Sequence, residues 1–284
     1  GAAATPPPGP VGLARSAGGT PGVPPGRIVY LVRHGESEWN LAARRLDLWT
    51  LLSRVDHGLT PRGVAQARRL QATVGAALAD GDADARAFCA PSTPVFSSPL
   101  TRAVSTTALA VGLQRTITLL PDARELAWPL CGPDSVGCAV GSRIAERTSD
   151  VLCVMDVQFC GGGLQRAALQ AAVNASLAQG RWWPGGGFGG LRESRVSVRE
   201  RLARLLGPQQ LLGGGGEASV LVCHSHLIRQ LFRDLAAPSL AESRPGLLGE
   251  LRGRKLQNCG VVRAEVSADG LLTDASLVFG SEMV

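Results

Sequence analysis

Lysine is almost missing from this chain: of its 29 basic residues only Lys255 is not an arginine. Histidine is scarce as well, with four in 284 residues, and aromatic residues make up only 4%. Seven cysteines are present without a single C-x-x-C pair. With so few histidines beside them, a structural zinc site is not indicated. The odd cysteine count, and the placing of Cys89, Cys153 and Cys223 inside apolar runs, argue for reduced thiols rather than a disulfide framework. No apolar run reaches the roughly 20 residues of a membrane span. The formal charge is +6, but arginine is scattered and no basic stripe with interleaved aromatics occurs. Nucleic acid is therefore not the expected partner, whereas a phosphorylated substrate suits the charge.

What remains is Ala, Leu, Val and Gly. Hydrophobic residues reach 45%, enough for one large α/β domain or two small ones. Residues 1–26 are rich in Gly, Ala and Pro and lack apolar periodicity, so they read as a disordered segment. That segment carries no acidic residue, as in transit peptides. A cytoplasmic location is the expectation, with an organellar one open.

The run Ile28-Val29-Tyr30-Leu31-Val32 reads as a buried strand that stops at Arg33-His34-Gly35. A helix follows from about Ser37, whose hydroxyl can cap it while Glu36 and Glu38 suit the positive helix end. A strand that delivers Arg-His-Gly to its carboxyl end, just before a helix, is where open α/β sheets place their chemistry. After a loop at Asp56-His57-Gly58, Thr60 and Pro61 open a second helix. Its apolar positions Val64, Ala67, Leu70, Val74, Ala77 and Leu78 face one side. His57 reads as a loop residue. Pro94–Ser97 is a short strand leading through Ser98-Pro99, an N-cap and first-turn proline, into a helix with Arg102 in its first turn. A cation there is disfavoured by the helix dipole unless an anion sits beside it. Thr116–Leu120 is a third strand.

Residues 128–192 are rich in glycine, with an amphipathic stretch from Leu164 to Leu177, and read as an insertion or lid. Trp182 and Trp183 are expected to cover the core. Glu193–Leu206 is a helix with Val196, Val198, Leu202, Leu205 and Leu206 as its buried side. Ser219–Cys223 is the clearest strand, with His224 at its end and a helix from Ser225 to about Leu235. His226 reads as structural. Ala236–Arg254 reads as a loop. Val261–Val266 and Leu271–Phe279 form a hairpin through Asp269-Gly270.

Arg33-His34-Gly35-Glu36-Ser37 with Trp39-Asn40 resembles the signature of the histidine phosphatase superfamily, the phosphoglycerate mutase-like family. The resemblance continues, in order, through Leu59-Thr60-x-x-Gly63-x-x-Gln66-Ala67, Ser97-Ser98-Pro99-Leu100-x-Arg102-Ala103, Arg124-Glu125-Leu126 and Val222-Cys223-His224. It spans about residues 28 to 279. It implies a three-layer α/β/α sandwich with a largely parallel central sheet over residues 27–284. It also implies a phosphomonoester hydrolase that works through a phosphohistidine, with neither metal nor cofactor. On matching positions, His34 is the nucleophile and Arg33, Arg102 and His224 surround the phosphoryl oxygens. Asn40 assists in holding phosphate, and Glu125 passes a proton to the leaving group. For Glu125 an ordinary solvated glutamate is the competing reading, with Asp122 the rival donor. The expected partner is a small phosphorylated molecule.

Two other functions stay open. Cofactor-dependent mutases of this family follow the catalytic glutamate with a run containing an aromatic, glycines and then clustered basic residues. Here Glu125 is followed by Leu126-Ala127-Trp128-Pro129-Leu130-Cys131-Gly132, with no basic residue before Arg143. An inactive relative serving as a binding scaffold would be expected to lose the nucleophile or an arginine, and both are kept.

Overall fold

Alternation along Val29-Tyr30-Leu31-Val32 sets the layers. In the computed structural model, which describes residues 26–127, 132–160, 166–183, 193–211, 213 and 216–284, all four are fully buried. Val29 and Leu31 point into one hydrophobic cluster, Tyr30 and Val32 into another on the opposite face. Period-two side chains that are apolar on both faces require a covered sheet. The expected three-layer α/β/α arrangement follows.

The first strand, β1 (Arg27–Arg33), leads into α1 (Glu38–Arg45) and α2 (Leu48–Ser53). Next come the long α3 (Pro61–Ala79), α4 (Ala83–Cys89), β2 (Val95–Ser97), α5 (Thr101–Ala110) and β3 (Ile117–Leu119). The middle of the chain supplies α6 (Arg143–Cys160), α7 (Arg166–Ala172) and the two-residue β4 (Val173–Asn174). Then α8 (Arg195–Leu205), β5 (Ala218–Cys223) and α9 (Ser225–Asp234) complete the second strand–helix unit. Last are α10 (Pro238–Ser243), α11 (Pro245–Gly253), β6 (Val261–Val266) and β7 (Leu272–Val278).

The sheet runs β4-β3-β2-β5-β1-β6-β7. The first five strands in that order are parallel, and β6 and β7 continue it antiparallel. The hairpin therefore closes one edge, turning at Gly270 with φ +80, a conformation glycine adopts without Cβ strain. Helices α8, α9, α10 and α11 bury their apolar faces against Val29 and Leu31. Helices α3, α4 and α5 pack against Tyr30 and Val32.

Several expectations need correction. Ala236–Arg254 is not a loop but the two short helices α10 and α11, each with proline at its first position. There the missing N–H costs nothing, and proline starts a helix rather than breaking one. Val196 is 67% exposed, and the buried side of α8 is Val198, Arg201, Leu202 and Leu205. Ser98 does not cap α5, which begins at Thr101 after Leu100 with no local side-chain cap. Asp56 supplies that cap from the preceding loop: Oδ1 accepts from the Thr101 N–H at 2.7 Å and Oδ2 from its hydroxyl at 2.9 Å. Leu78 is 40% exposed. The short helices α2 and α4 had no clear periodic signal.

Within 128–192, β4 pairs in parallel with β3, so part of the segment expected as an insertion or lid is a strand of the sheet. Trp182 covers the core as expected, buried against Ile117 and Leu119 of β3, and its indole N–H donates to the Ala139 carbonyl at 3.0 Å. Residues 1–25, Leu164, the side chains of Cys131, Cys153 and Cys160, and the glycine runs at 161–163, 185–187 and 189–190 lie outside the described residues. Cys89, Cys138, Cys223 and Cys259 are free thiols. Among the described residues no helix is long and apolar enough to cross a membrane.

Candidate active site

Parallel pairing of β1 with β5 puts Arg33 opposite Cys223. The next residue on each strand is a histidine. The His34 N–H donates to the Cys223 carbonyl at 3.0 Å, and the two imidazole centroids lie 5.1 Å apart. Both rings are buried, with His34 2% and His224 0% exposed.

His34 is fixed in one tautomer. Its Nδ1 lies 2.6 Å from the Gly35 carbonyl, which can only accept, so the proton sits on Nδ1 and Nε2 keeps its lone pair. Asn258 holds the same turn by donating its amide to the His34 carbonyl at 3.0 Å. Burial, then Arg102 and Arg33, hold the imidazole well below the usual histidine range, so the ring is neutral. The backbone here admits no side chain: a Cβ on Gly35 would stand 2.6 Å from the Gly63 carbonyl oxygen. The start of α3 thus presses directly on the Arg33-His34-Gly35 turn.

Glu36 serves this packing and not the chemistry. It is buried, accepts from the Thr60 hydroxyl at 2.9 Å and pairs with Arg44 at 2.8 Å. Asn40 closes a capping box with Ser37, its Oδ1 accepting from the Ser37 N–H at 3.2 Å. That leaves only its amide N–H groups to meet a ligand.

Arg33, Arg102 and His224 gather around His34, and the Glu125 carboxylate acts on Arg33. Arg33 is anchored by Nη1 on the Leu256 carbonyl at 2.5 Å. His224 Nε2 meets the Ser98 hydroxyl at 2.8 Å. Ser98, expected as a helix cap, orients a histidine instead. Burial, followed by Arg102 and His34, holds His224 well below its ordinary range. Arg33 Nε, Arg102 Nε and His224 Nδ1 are buried without hydrogen-bond partners. Three buried, unsatisfied donors and titratable nitrogens in one place are costly unless an anion fills them.

Glu125 sits at the start of α9. Its Oε1 accepts from the Leu126 and Leu227 N–H groups at 2.9 and 3.1 Å, and Oε2 from the His226 N–H at 3.4 Å. The carboxylate is only 4% exposed and rests on the positive end of a helix. Its loop is clamped by Glu193, which pairs with Arg124 at 2.5 Å and Arg201 at 2.8 Å. Asp122, the rival donor, is committed elsewhere, to Arg204 at 3.2 Å and Gln210 at 2.8 Å. His226, read as structural, holds Glu125 through its backbone N–H. His57 is a loop residue, but a buried one, edge-on to Trp39 at 5.5 Å.

One residue of the site was not anticipated. Asp134 is buried, with its carbonyl accepting from Arg102 Nη2 at 2.9 Å and its Oδ1 at 3.0 Å from Nη1. The second contact is an ion pair without hydrogen-bond geometry. Burial, aided by Glu125 and Asp56 and opposed by Arg102 and Arg33, pushes its carboxyl up to about 7. Nothing local in the sequence marks such a partner, which lies 32 residues from Arg102.

Fold and site together define an α/β protein with two histidines and two arginines gathered at the carboxyl ends of adjacent parallel strands. Residues 29–131 match the family model of the histidine phosphatase superfamily, branch 1. No curated protein matches the chain. Among solved structures it is similar to a phosphoglycerate mutase from Bacillus anthracis str. Sterne, at 16% identity and TM-score 0.47 over 89% of this chain and 92% of that one. It is also similar to an Entamoeba histolytica phosphoserine phosphatase mutant in complex with phosphoserine, at 17% identity and TM-score 0.43, covering 90% and 95%. A mycobacterial glucosyl-3-phosphoglycerate phosphatase aligns at 20% identity and TM-score 0.43, covering 89% and 97%.

Proposed function

We propose that the protein hydrolyses a phosphomonoester of a small molecule through a phosphohistidine on His34. The observation that carries this reading is the locked tautomer of His34, whose free Nε2 lone pair lies in a buried cluster of unsatisfied cationic and imidazole nitrogens. A neutral imidazole attacks phosphorus in line. Arg33, Arg102 and the amide of Asn40 hold the phosphoryl oxygens, whose charge spreads in the transition state. His224 carries a proton only when the incoming dianion offsets Arg33 and Arg102, so substrate binding and its protonation are coupled. Glu125 protonates the leaving oxygen and then takes a proton from the water that hydrolyses the phosphoenzyme. For phosphate to engage both terminal nitrogens of Arg102, Asp134 must yield its place. The chemistry asks for no metal, because the arginines supply the positive charge. A mutase reading is disfavoured by the lack of basic residues between Glu125 and Arg143.

The test is hydrolysis of p-nitrophenyl phosphate in excess chelator by the wild type and His34→Ala, with an alkaline quench to preserve phosphohistidine. The expected result is chelator-resistant turnover and an alkali-stable phosphoenzyme, both absent from the variant. Turnover that persists in His34→Ala, or a phosphoenzyme stable to acid instead, would overturn the mechanism.

A further inference from the structure

Exposed arginines need no explanation in a chain with so many, but their arrangement on α8 and α9 does. Arg195 and Arg199 lie four residues apart on α8, and Arg229 and Arg233 lie four residues apart on α9. Like charges at this spacing face one another on a helix and destabilise it. The two pairs also face each other: Arg195, Arg199 and Arg233 line one groove of about 460 Å³, together with Val196, Gln230 and Asp234. Arg195 opens α8, the helix end where a cation is least favoured.

A second cavity of about 270 Å³ adjoins the groove, sharing Gln230 and Arg233 with it and lined also by Leu126, His226 and Arg229. This cavity begins at the site. Leu126 and His226 are the residues whose backbone N–H groups hold Glu125. Arg229 Nε and His226 Nδ1 are buried there without a partner. Burial and then Arg233 lower the Arg229 guanidinium from its ordinary value, and the carboxylate acting on it is that of Glu125. The carboxylate lining the groove, Asp234, is taken up by Gln230, which donates to it at 2.9 Å. Arg233 spends its Nε on the Arg252 carbonyl at 2.9 Å. Four guanidinium groups thus line this pair of adjoining cavities, a hollow that shares Gln230 and Arg233, with their remaining donors unclaimed among the described residues.

We infer that this hollow is a second anion subsite, which takes a phosphate or similar dianion carried on the leaving part of the substrate. The inference rests on the proposed phosphatase reading and names the substrate class: a phosphomonoester with a second dianionic group. From His226 to Arg233 the axis of α9 advances about 10 Å. The second group therefore lies several bonds beyond the scissile oxygen and not on the neighbouring carbon. Arginine's planar fork suits such a group.

Non-hydrolysable phosphonates separate this inference from the catalytic reading. Hexylphosphonate and 1,6-hexanediyl bisphosphonate are titrated calorimetrically into the wild type, Arg229→Gln/Arg233→Gln and Arg195→Gln/Arg199→Gln at low salt. The bisphosphonate is expected to bind the wild type at least about tenfold more tightly. Each double variant should lose most of that advantage, and salt should erode it. Equal affinity of the two ligands for the wild type, or an advantage retained in both double variants, would overturn the subsite. Failure of hexylphosphonate to bind at all would instead remove the phosphate cradle, and with it the reading on which the subsite rests.

Discussion

The carboxylate of Asp134 stands 3.0 Å from Arg102 Nη1 while its own carbonyl occupies Nη2 at 2.9 Å. An acidic residue thus covers the guanidinium that the proposed reading assigns to the phosphoryl group. Ionised, it both neutralises Arg102 and repels a dianion. Protonated, it does neither.

Asp134→Asn is therefore expected to bind orthophosphate several-fold more tightly than the wild type at pH 8. At pH 5.5, below the value of about 7 to which burial raises Asp134, the two should converge. Calorimetric titration at both pH values checks this, and equal affinities at pH 8 would show that Asp134 does not compete with phosphate.

Stability depends on pH with two opposed signs. His34 and His224 stay neutral in the fold, so the unfolded chain binds protons first and stability falls as pH drops below about 6.5. Asp134, with its folded value raised, contributes stability that is fully present below about pH 4 and lost as pH rises to about 7. Replacing it by Asn removes only the second effect. Urea midpoints should favour Asp134→Asn over the wild type by a larger margin at pH 8 than at pH 5, and an unchanged margin would contradict the raised value.

Glu125→Gln separates acid catalysis from attack. With an alkyl phosphate, whose leaving oxygen needs a proton, kcat should fall about 10²- to 10⁴-fold. With p-nitrophenyl phosphate, a good leaving group, the loss should be much smaller. Equal losses on both substrates would take Glu125 out of the proton-donor role.

The locked tautomer fixes the position of phosphorylation. Because Nδ1–H is held by the Gly35 carbonyl at 2.6 Å, the trapped phosphoenzyme should carry phosphate on Nε2 of His34. Phosphorus NMR of the alkali-quenched protein distinguishes the two isomers, and an Nδ1 adduct would refute the assignment.

Gly63→Ala should cost about 2–4 kcal/mol, since its Cβ would fall 2.1 Å from the Glu36 carbonyl oxygen, a backbone atom. Chemical denaturation measures this directly, and a loss below about 0.5 kcal/mol would mean that α3 can move away freely.

Much of this architecture could be read from the chain because it is written locally. An apolar run that ends in Arg33-His34-Gly35, and another that ends in His224, announce strands with polar tips without any tertiary information. Thr60-Pro61 announces α3 in the same way. Pro238 and Pro245 misled because proline breaks a helix interior but starts a first turn, and only packing of Leu240, Leu248 and Leu251 into the core decides which applies. Val196 misled because period 3.6 does not say where the buried stripe begins. Asp134 and the Asp56 cap on Thr101 left no local signal at all. Their partners lie 32 and 45 residues away, and the contact exists only once the sheet has formed.

The neighbours in the sheet that matter most are strangers in the chain. Arg33 and Cys223 sit side by side on β1 and β5, yet about 190 residues must fold between them, a separation typical of slow, high-contact-order topologies. A ribosome releasing this protein has exposed the nucleophile long before it makes β5. Until then His34 lacks the strand that buries it, the second imidazole and the helix end that seats Glu125. On the proposed reading, turnover becomes possible only once β5 has been made, and appearance of activity during refolding reports the docking of β5 beside β1.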